Sequence, residues 1–224
     1  FNLTRHGQTA AAWVTPAKQT RQTSFLKFAN VVVEEYGTND LGQGGTGDPS
    51  TILTRLGNIW STVRAQGVQK IIRTQLLPRT ASTDSWKTLA GQTPNTGWEI
   101  GGKRDTINAG LRTALESGKI DVLLDTLPIL ADPSDSSRWK TNGTSQYVTS
   151  DGTHVSPAGN ALLATPLRAA LLALKVDDTY SAWSSTIDWG GADSSATASN
   201  NGMQNLLAYA FDTSPFSATP GDLP

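Results

Sequence analysis

Three short apolar runs, separated by stretches of helical periodicity, constrain this chain more than any other feature. Ala29-Asn30-Val31-Val32-Val33 leads to Glu34–Tyr36, Lys70–Leu77 stops at Pro78, and Asp121-Val122-Leu123-Leu124-Asp125 forms the third run. Continuous β-branched runs of this length suit strands buried on both faces. Between the first two, Asp48-Pro49-Ser50 opens a helix through about Gln66, with Ile52, Leu53, Leu56, Ile59, Trp60 and Val63 on one stripe. Proline just inside a start marked by Asp is a helix-start signal, and Gly67 is a stop. A second helix, from about Lys103 to Ser117, carries Ile107, Leu111 and Leu115 and ends at Gly118. A third is capped at Ser156-Pro157 and carries Leu162, Leu163, Leu167, Leu171 and Leu174. Strand and helix in strict alternation imply right-handed crossovers and an α/β fold, with a parallel sheet covered on both faces.

In such sheets ligands bind outside the carboxyl ends of the strands. The turn at Asn39 and two polar loops, Arg79 to about Gly102 and Ala131–His154, all leave from that end. The 224 residues suffice for one ordinary domain and a short appendage. A formal net charge of −1 without a basic block argues against a nucleic-acid partner. The most apolar stretch, near Ala161–Leu174, is broken by Thr165, Pro166 and Arg168 and falls short of the ~20 residues of a membrane span. Without cysteine there are no disulfides, no thiol catalysis and no Cys-ligated zinc.

The chemistry concentrates in two phrases. Gly37-Thr38-Asn39-Asp40 follows the first strand directly. There glycine permits a sharp turn, and the Asn39 amide can be aimed at a developing oxyanion, with Asp40 bracing the turn. An ordinary Asn-Asp turn closing a strand is the alternative. Asp151-Gly152-Thr153-His154 precedes the last helix. The chain has only two histidines, His6 and His154. On a tight loop the three-residue spacing can bring the Asp151 carboxylate beside the His154 imidazole, fixing its tautomer and stabilising the cation formed when it acts as base. An Asp-Gly turn followed by a surface histidine is the plain alternative. Two distant histidines without an acidic cluster give no metal site, and no cofactor is implied.

Together these phrases resemble the third and fifth sequence blocks of the GDSL (SGNH) ester hydrolases, and Asn2–Ala10 resembles the second block. The resemblance covers about Phe1 to Leu174. It implies a three-layer α/β/α sandwich that hydrolyses carboxylic esters by a Ser-His-Asp arrangement. His154 and Asp151 would be the catalytic pair, and Asn39 and the Gly7 backbone N–H the oxyanion donors. His6 would sit on the loop or substrate rim. The family's nucleophile lies in a Gly-Asp-Ser turn after the first strand, and neither precedes the matched blocks here. The expectation is therefore an N-terminally incomplete domain whose serine comes from a complementary N-terminal fragment or a neighbouring chain. Gly191-Ala192-Asp193-Ser194 echoes the missing turn but lacks a good strand before it, and Ser156 reads as a helix cap.

Trp86, Trp98 and Trp139, three of seven tryptophans, fall in the loops at the active-site end. They could wall an acyl or sugar pocket for a small-molecule or glycan ester, or staple long loops to the body. After Lys175 the texture changes, and residues 176–224 read as a small C-terminal module. Its Asn205–Ala210 phrase resembles Asp/Gly-loop-plus-helix segments of large bacterial extracellular proteins, which points to a secreted bacterial setting. The matching loop, Ser199–Gly202, has lost the acids that would hold calcium. The rival to an esterase is a non-catalytic module that holds a glycan or acyl group in the same cleft.

Overall fold

The computed structural model describes residues 7–15, 23–42 and 47–174. His6, Ser194 and the whole C-terminal module lie outside them. Three strands form a parallel sheet in the order β1 (Val31–Glu34), β2 (Lys70–Thr74), β5 (Val122–Leu124). Val32 pairs with Ile71, and Ile72 with Val122. An antiparallel pair, β3 (Thr80–Ser82) and β4 (Gln92–Pro94), stands apart within what the sequence reads as one polar loop. Three residues per strand, without apolar alternation, leave no periodic signal to find it by.

The helices whose bounds lie among the described residues are α1 (Ala10–Trp13), α2 (Thr38–Leu41), α3 (Pro49–Ala65), α4 (Lys103–Glu116), α5 (Leu127–Leu130) and α6 (Pro157–Ala173). Asp48 caps α3 by accepting the Thr51 N–H, and Ser156 caps α6 by accepting the Gly159 N–H. On one face of the sheet Val32, Ile71 and Leu123 meet the stripe of α3 (Ile52, Leu56, Ile59, Trp60, Val63) and that of α4 (Ile107, Leu111, Ala114). From the other side α6 packs against β5 and α5. The expected three layers are present. Two stripes differ in detail: Leu115 is exposed while Ala114 and Arg104 are buried, and Leu162, Leu171 and Leu172 of α6 face outward.

Strand β2 ends at Thr74, three residues before the apolar run does. The cause is Asn108 on α4, whose side chain accepts the Leu76 N–H (2.8 Å) and donates to the Leu76 carbonyl (3.1 Å). The backbone groups a neighbouring strand would need are thereby satisfied, and the chain peels away from the sheet.

A buried ion pair anchors the β1–β2 junction. Arg73 Nε lies 3.2 Å from Glu34 Oε2, which also receives the Trp60 indole N–H at 3.0 Å. Arg73 spends its other donors on the Glu34 carbonyl (2.8 Å) and the Tyr36 carbonyl. The buried charge is thus met by an opposite one and by backbone carbonyls, as burial of a charge requires.

Candidate active site

Beyond β1 the chain turns at Gly37 (φ +114), a conformation that favours glycine. A Cβ there would touch the Arg73 guanidinium and Leu76, both at 3.6 Å. The turn delivers Asn39 and Asp40 at the carboxyl end of the sheet. Asn39 Nδ2 donates to the Gln8 carbonyl at 3.2 Å. The Asp40 carboxylate is fully buried and accepts the Ala10 and Ala11 N–H groups (2.7 and 3.0 Å) at the start of α1. Arg55 stands 3.7 Å away. Asp40 thus braces a neighbouring segment rather than its own turn, and a carboxylate at a helix start is favourably placed. The outcome is that Gly7 (φ +68), Gln8 and Asn39 come together although some thirty residues separate them. Both amide atoms of the Gln8 side chain are buried without a hydrogen-bond partner among the described residues.

The second half is the Asp151–His154 turn. Asp151 Oδ1 accepts the Thr153 N–H (2.9 Å) and the His154 N–H (2.8 Å), while Oδ2 lies 2.7 Å from His154 Nδ1. Burial raises the Asp151 pKa, but the two N–H donors and the imidazole outweigh it and hold the carboxyl below its ordinary value. An ionised Oδ2 makes Nδ1 the protonated ring nitrogen, which leaves Nε2 with its lone pair. Both side chains are open to solvent, 60% exposed for His154 and 52% for Asp151.

What holds this exposed turn is a buried scaffold. Gly152 (φ +78) fits so tightly that a Cβ would lie 2.0 Å from the Thr80 carbonyl oxygen and 2.7 Å from the Trp86 ring. Its own carbonyl accepts the Thr80 N–H (3.0 Å) and the Trp139 indole N–H (3.1 Å). Gln92, also buried, grips both sides of the Trp139 backbone, accepting its N–H and donating to its carbonyl at 2.9 Å each. Trp86 donates to Thr80 Oγ1 at 2.9 Å. Trp98 and Trp139 are completely buried. As arranged they serve as staples and present no face to a pocket, and Trp86 alone of the three is half-buried. Sequence reasoning missed Gln92 and Thr80. Only the tertiary pairing of the β3–β4 hairpin with the 139–152 segment reveals them.

The two halves share one end of the sheet and one connecting segment. Leu76 packs at Gly37, and Thr80 bonds Gly152. The stretch from Gln75 to Thr80 therefore runs from the Asn39 side to the His154 side.

Among the described residues, no group of three or more His, Cys, Asp or Glu side chains could hold a metal ion, and no helix is long and apolar enough to cross a membrane.

No protein-family model matches the chain, and no curated protein does. Solved structures do. A GDSL-like lipase from Bacteroides thetaiotaomicron is 17% identical, with 73% of this chain and 71% of that one covered at a TM-score of 0.47. A carbohydrate esterase family 3 protein from Talaromyces cellulolyticus is 15% identical over 74% of this chain and 67% of that one, at a TM-score of 0.45. A carbohydrate acetylesterase from Sinorhizobium meliloti is 18% identical over 67% of each, at 0.42. The solved structures to which the chain is similar thus include a GDSL-like lipase and two carbohydrate esterases.

Proposed function

We propose that this chain carries the base and the oxyanion donors of a serine-type carboxylic ester hydrolase, with the nucleophilic serine supplied by a segment outside these 224 residues. The observation that carries the proposal is the closed Asp151–His154 pair, with Asp151 Oδ2 lying 2.7 Å from His154 Nδ1.

In the proposed reaction the serine hydroxyl gives its proton to His154 Nε2 as its oxygen bonds to the ester carbonyl carbon. The carbonyl electron pair moves onto oxygen, where the Gly7 N–H and the Asn39 amide stabilise it. Asp151 offsets the imidazolium charge. On collapse the C–O bond to the alcohol breaks, and the alcohol leaves with the proton from Nε2. Water, activated by the same nitrogen, then releases the acyl group.

Two features support an incoming segment. Asn39 Nδ2 now rests on a backbone carbonyl, a weak commitment that a stronger acceptor can replace. The buried amide of Gln8 beside it wants one donor and one acceptor, which a passing peptide group provides. Short acyl or acetyl esters, including those on carbohydrate, are the proposed substrates, and a secreted setting belongs to the same proposal.

The test is hydrolysis of p-nitrophenyl acetate together with fluorophosphonate labelling. Both should be absent from the 224-residue chain alone and should appear when the coding region preceding Phe1 is expressed with it. Label on a serine within the chain would overturn the external nucleophile. Persistent absence of label and turnover in the extended protein would leave the binding-module reading in its place.

A further inference from the structure

Three arginines are buried among the described residues, and two of them meet a carboxylate while the third does not. Arg73 is met by Glu34 and two backbone carbonyls. Arg104 is met by Asp105, through Nε at 2.9 Å and Nη2 at 2.7 Å, and by the Ser136 carbonyl at 2.6 Å. Arg79 has neither. It is only 7% exposed, its Nη1 is buried without a partner, and no carboxylate among the described residues pairs with it. Its guanidinium carbon stands 5.5 Å from the centroid of the fully buried Trp98 ring, a cation–π contact that holds the group but does not neutralise it.

A buried cation in this condition is costly, and an unsatisfied one needs an explanation. Its place in the chain supplies one. Arg79 lies in the segment that joins the Gly37 turn to the Gly152 turn: Leu76 packs at the first, and Thr80, the next residue, bonds the second. Arg79 is therefore next to the residue that anchors the Asp151–His154 turn. Asp151 is the acid whose charge reaches Arg79, partly offsetting the burial that lowers the arginine's pKa. Its oxygens, however, are already taken by Thr153 and His154.

We propose that Arg79 is a ligand-binding cation beside the Asp151–His154 turn, and that the ester it receives carries a carboxylate. The inference rests on the esterase reading only for the position of the ester. A negative charge is preferred to a neutral acceptor because it both fills the empty donors and neutralises the charge. Arginine stacked on an aromatic ring presents a fixed edge to a planar carboxylate, which lysine does not reproduce.

The test needs no turnover. Monomethyl succinate and its neutral counterpart methyl butyrate are titrated into the ¹⁵N-labelled chain while the arginine Nε–H signals are followed by NMR. Monomethyl succinate should saturate and move the Arg79 signal, and methyl butyrate should bind at least roughly tenfold more weakly. Arg79→Lys should weaken monomethyl succinate by roughly tenfold and leave methyl butyrate unchanged. Equal binding of the two esters, or no binding of either, overturns the proposal, and that comparison uses the unmodified protein in case a variant misfolds. Unchanged affinity in a folded Arg79→Lys variant overturns it too. Failure of the esterase reading shows differently, as absent fluorophosphonate labelling with this binding intact.

Discussion

Two acid–base pairs, Glu34–Arg73 within the sheet and Asp151–His154 on the turn before α6, are built in opposite ways. Glu34 and Arg73 are 3% and 1% exposed, with Trp60 and backbone carbonyls completing their hydrogen bonds. Asp151 and His154 are open to solvent, and the bonds that shape them are local: three contacts within four residues. The first pair is shut away from solvent and out of reach of a substrate. The second is open to solvent and depends on the buried Trp139–Gly152–Thr80 bonds for its position. Proximity of opposite charges therefore says little about role. Burial and the number of unspent donors and acceptors decide it.

The comparison breaks most visibly under substitution. In the catalytically complete enzyme, His154→Ala is expected to lower kcat by about a thousandfold or more with only the small stability loss of one exposed pair. Steady-state ester hydrolysis checks this, and retained turnover removes His154 as base. Glu34→Leu should do the reverse. It strands the Arg73 charge and is expected to cost about 3–5 kcal/mol in urea unfolding, much of it recovered in Glu34→Leu with Arg73→Met. If the single variant is as stable as the parent, the pair is not the anchor described here.

Smaller effects sharpen the same contrast. Asn39→Ala should reduce kcat by roughly a hundredfold with little change in KM, as for loss of one oxyanion donor. Trp139→Phe removes one donor to the Gly152 carbonyl while Thr80 keeps the other, so about 1 kcal/mol of stability is expected to go. A stability loss confined to Trp139→Phe with no change in kcat would detach the scaffold from the turn.

The pH dependence is the subtlest. The folded-state pKa of Asp151 is depressed, so the pair's contribution is present above the unfolded carboxyl's value and is lost as pH falls through the folded one. The stability difference between the parent and Asp151→Asn should thus hold at neutral pH and shrink below about pH 4. A difference that grows on acidification has the wrong sign for this account.

Much of this was legible in the sequence. The alternation of apolar run and helical stripe gave the α/β layers, because burial on two faces and on one face leave different periods. Asp48-Pro49 and Ser156-Pro157 marked two helix starts correctly, because a cap is a local event that needs only its own next three residues. The spacing of Asp151 and His154 likewise foreshadowed their contact, since one turn of chain encloses both.

What local pattern could not reveal lies in contacts between distant segments. Asn108 ends β2 from across the fold, and Asp40 braces α1 some thirty residues earlier. Trp98 and Trp139 read as possible pocket walls because a tryptophan in a polar loop has no periodicity to declare its side, and only packing buried them. The sequence by itself determined the layers, the helix starts and the Asp151–His154 pair, all of which rest on residues within a few positions of each other. Tertiary structure alone decided which charges are spent. Arg73, Arg79 and Arg104 are the same residue in the text, and the carboxylates that meet two and leave the third without one are assembled only by folding.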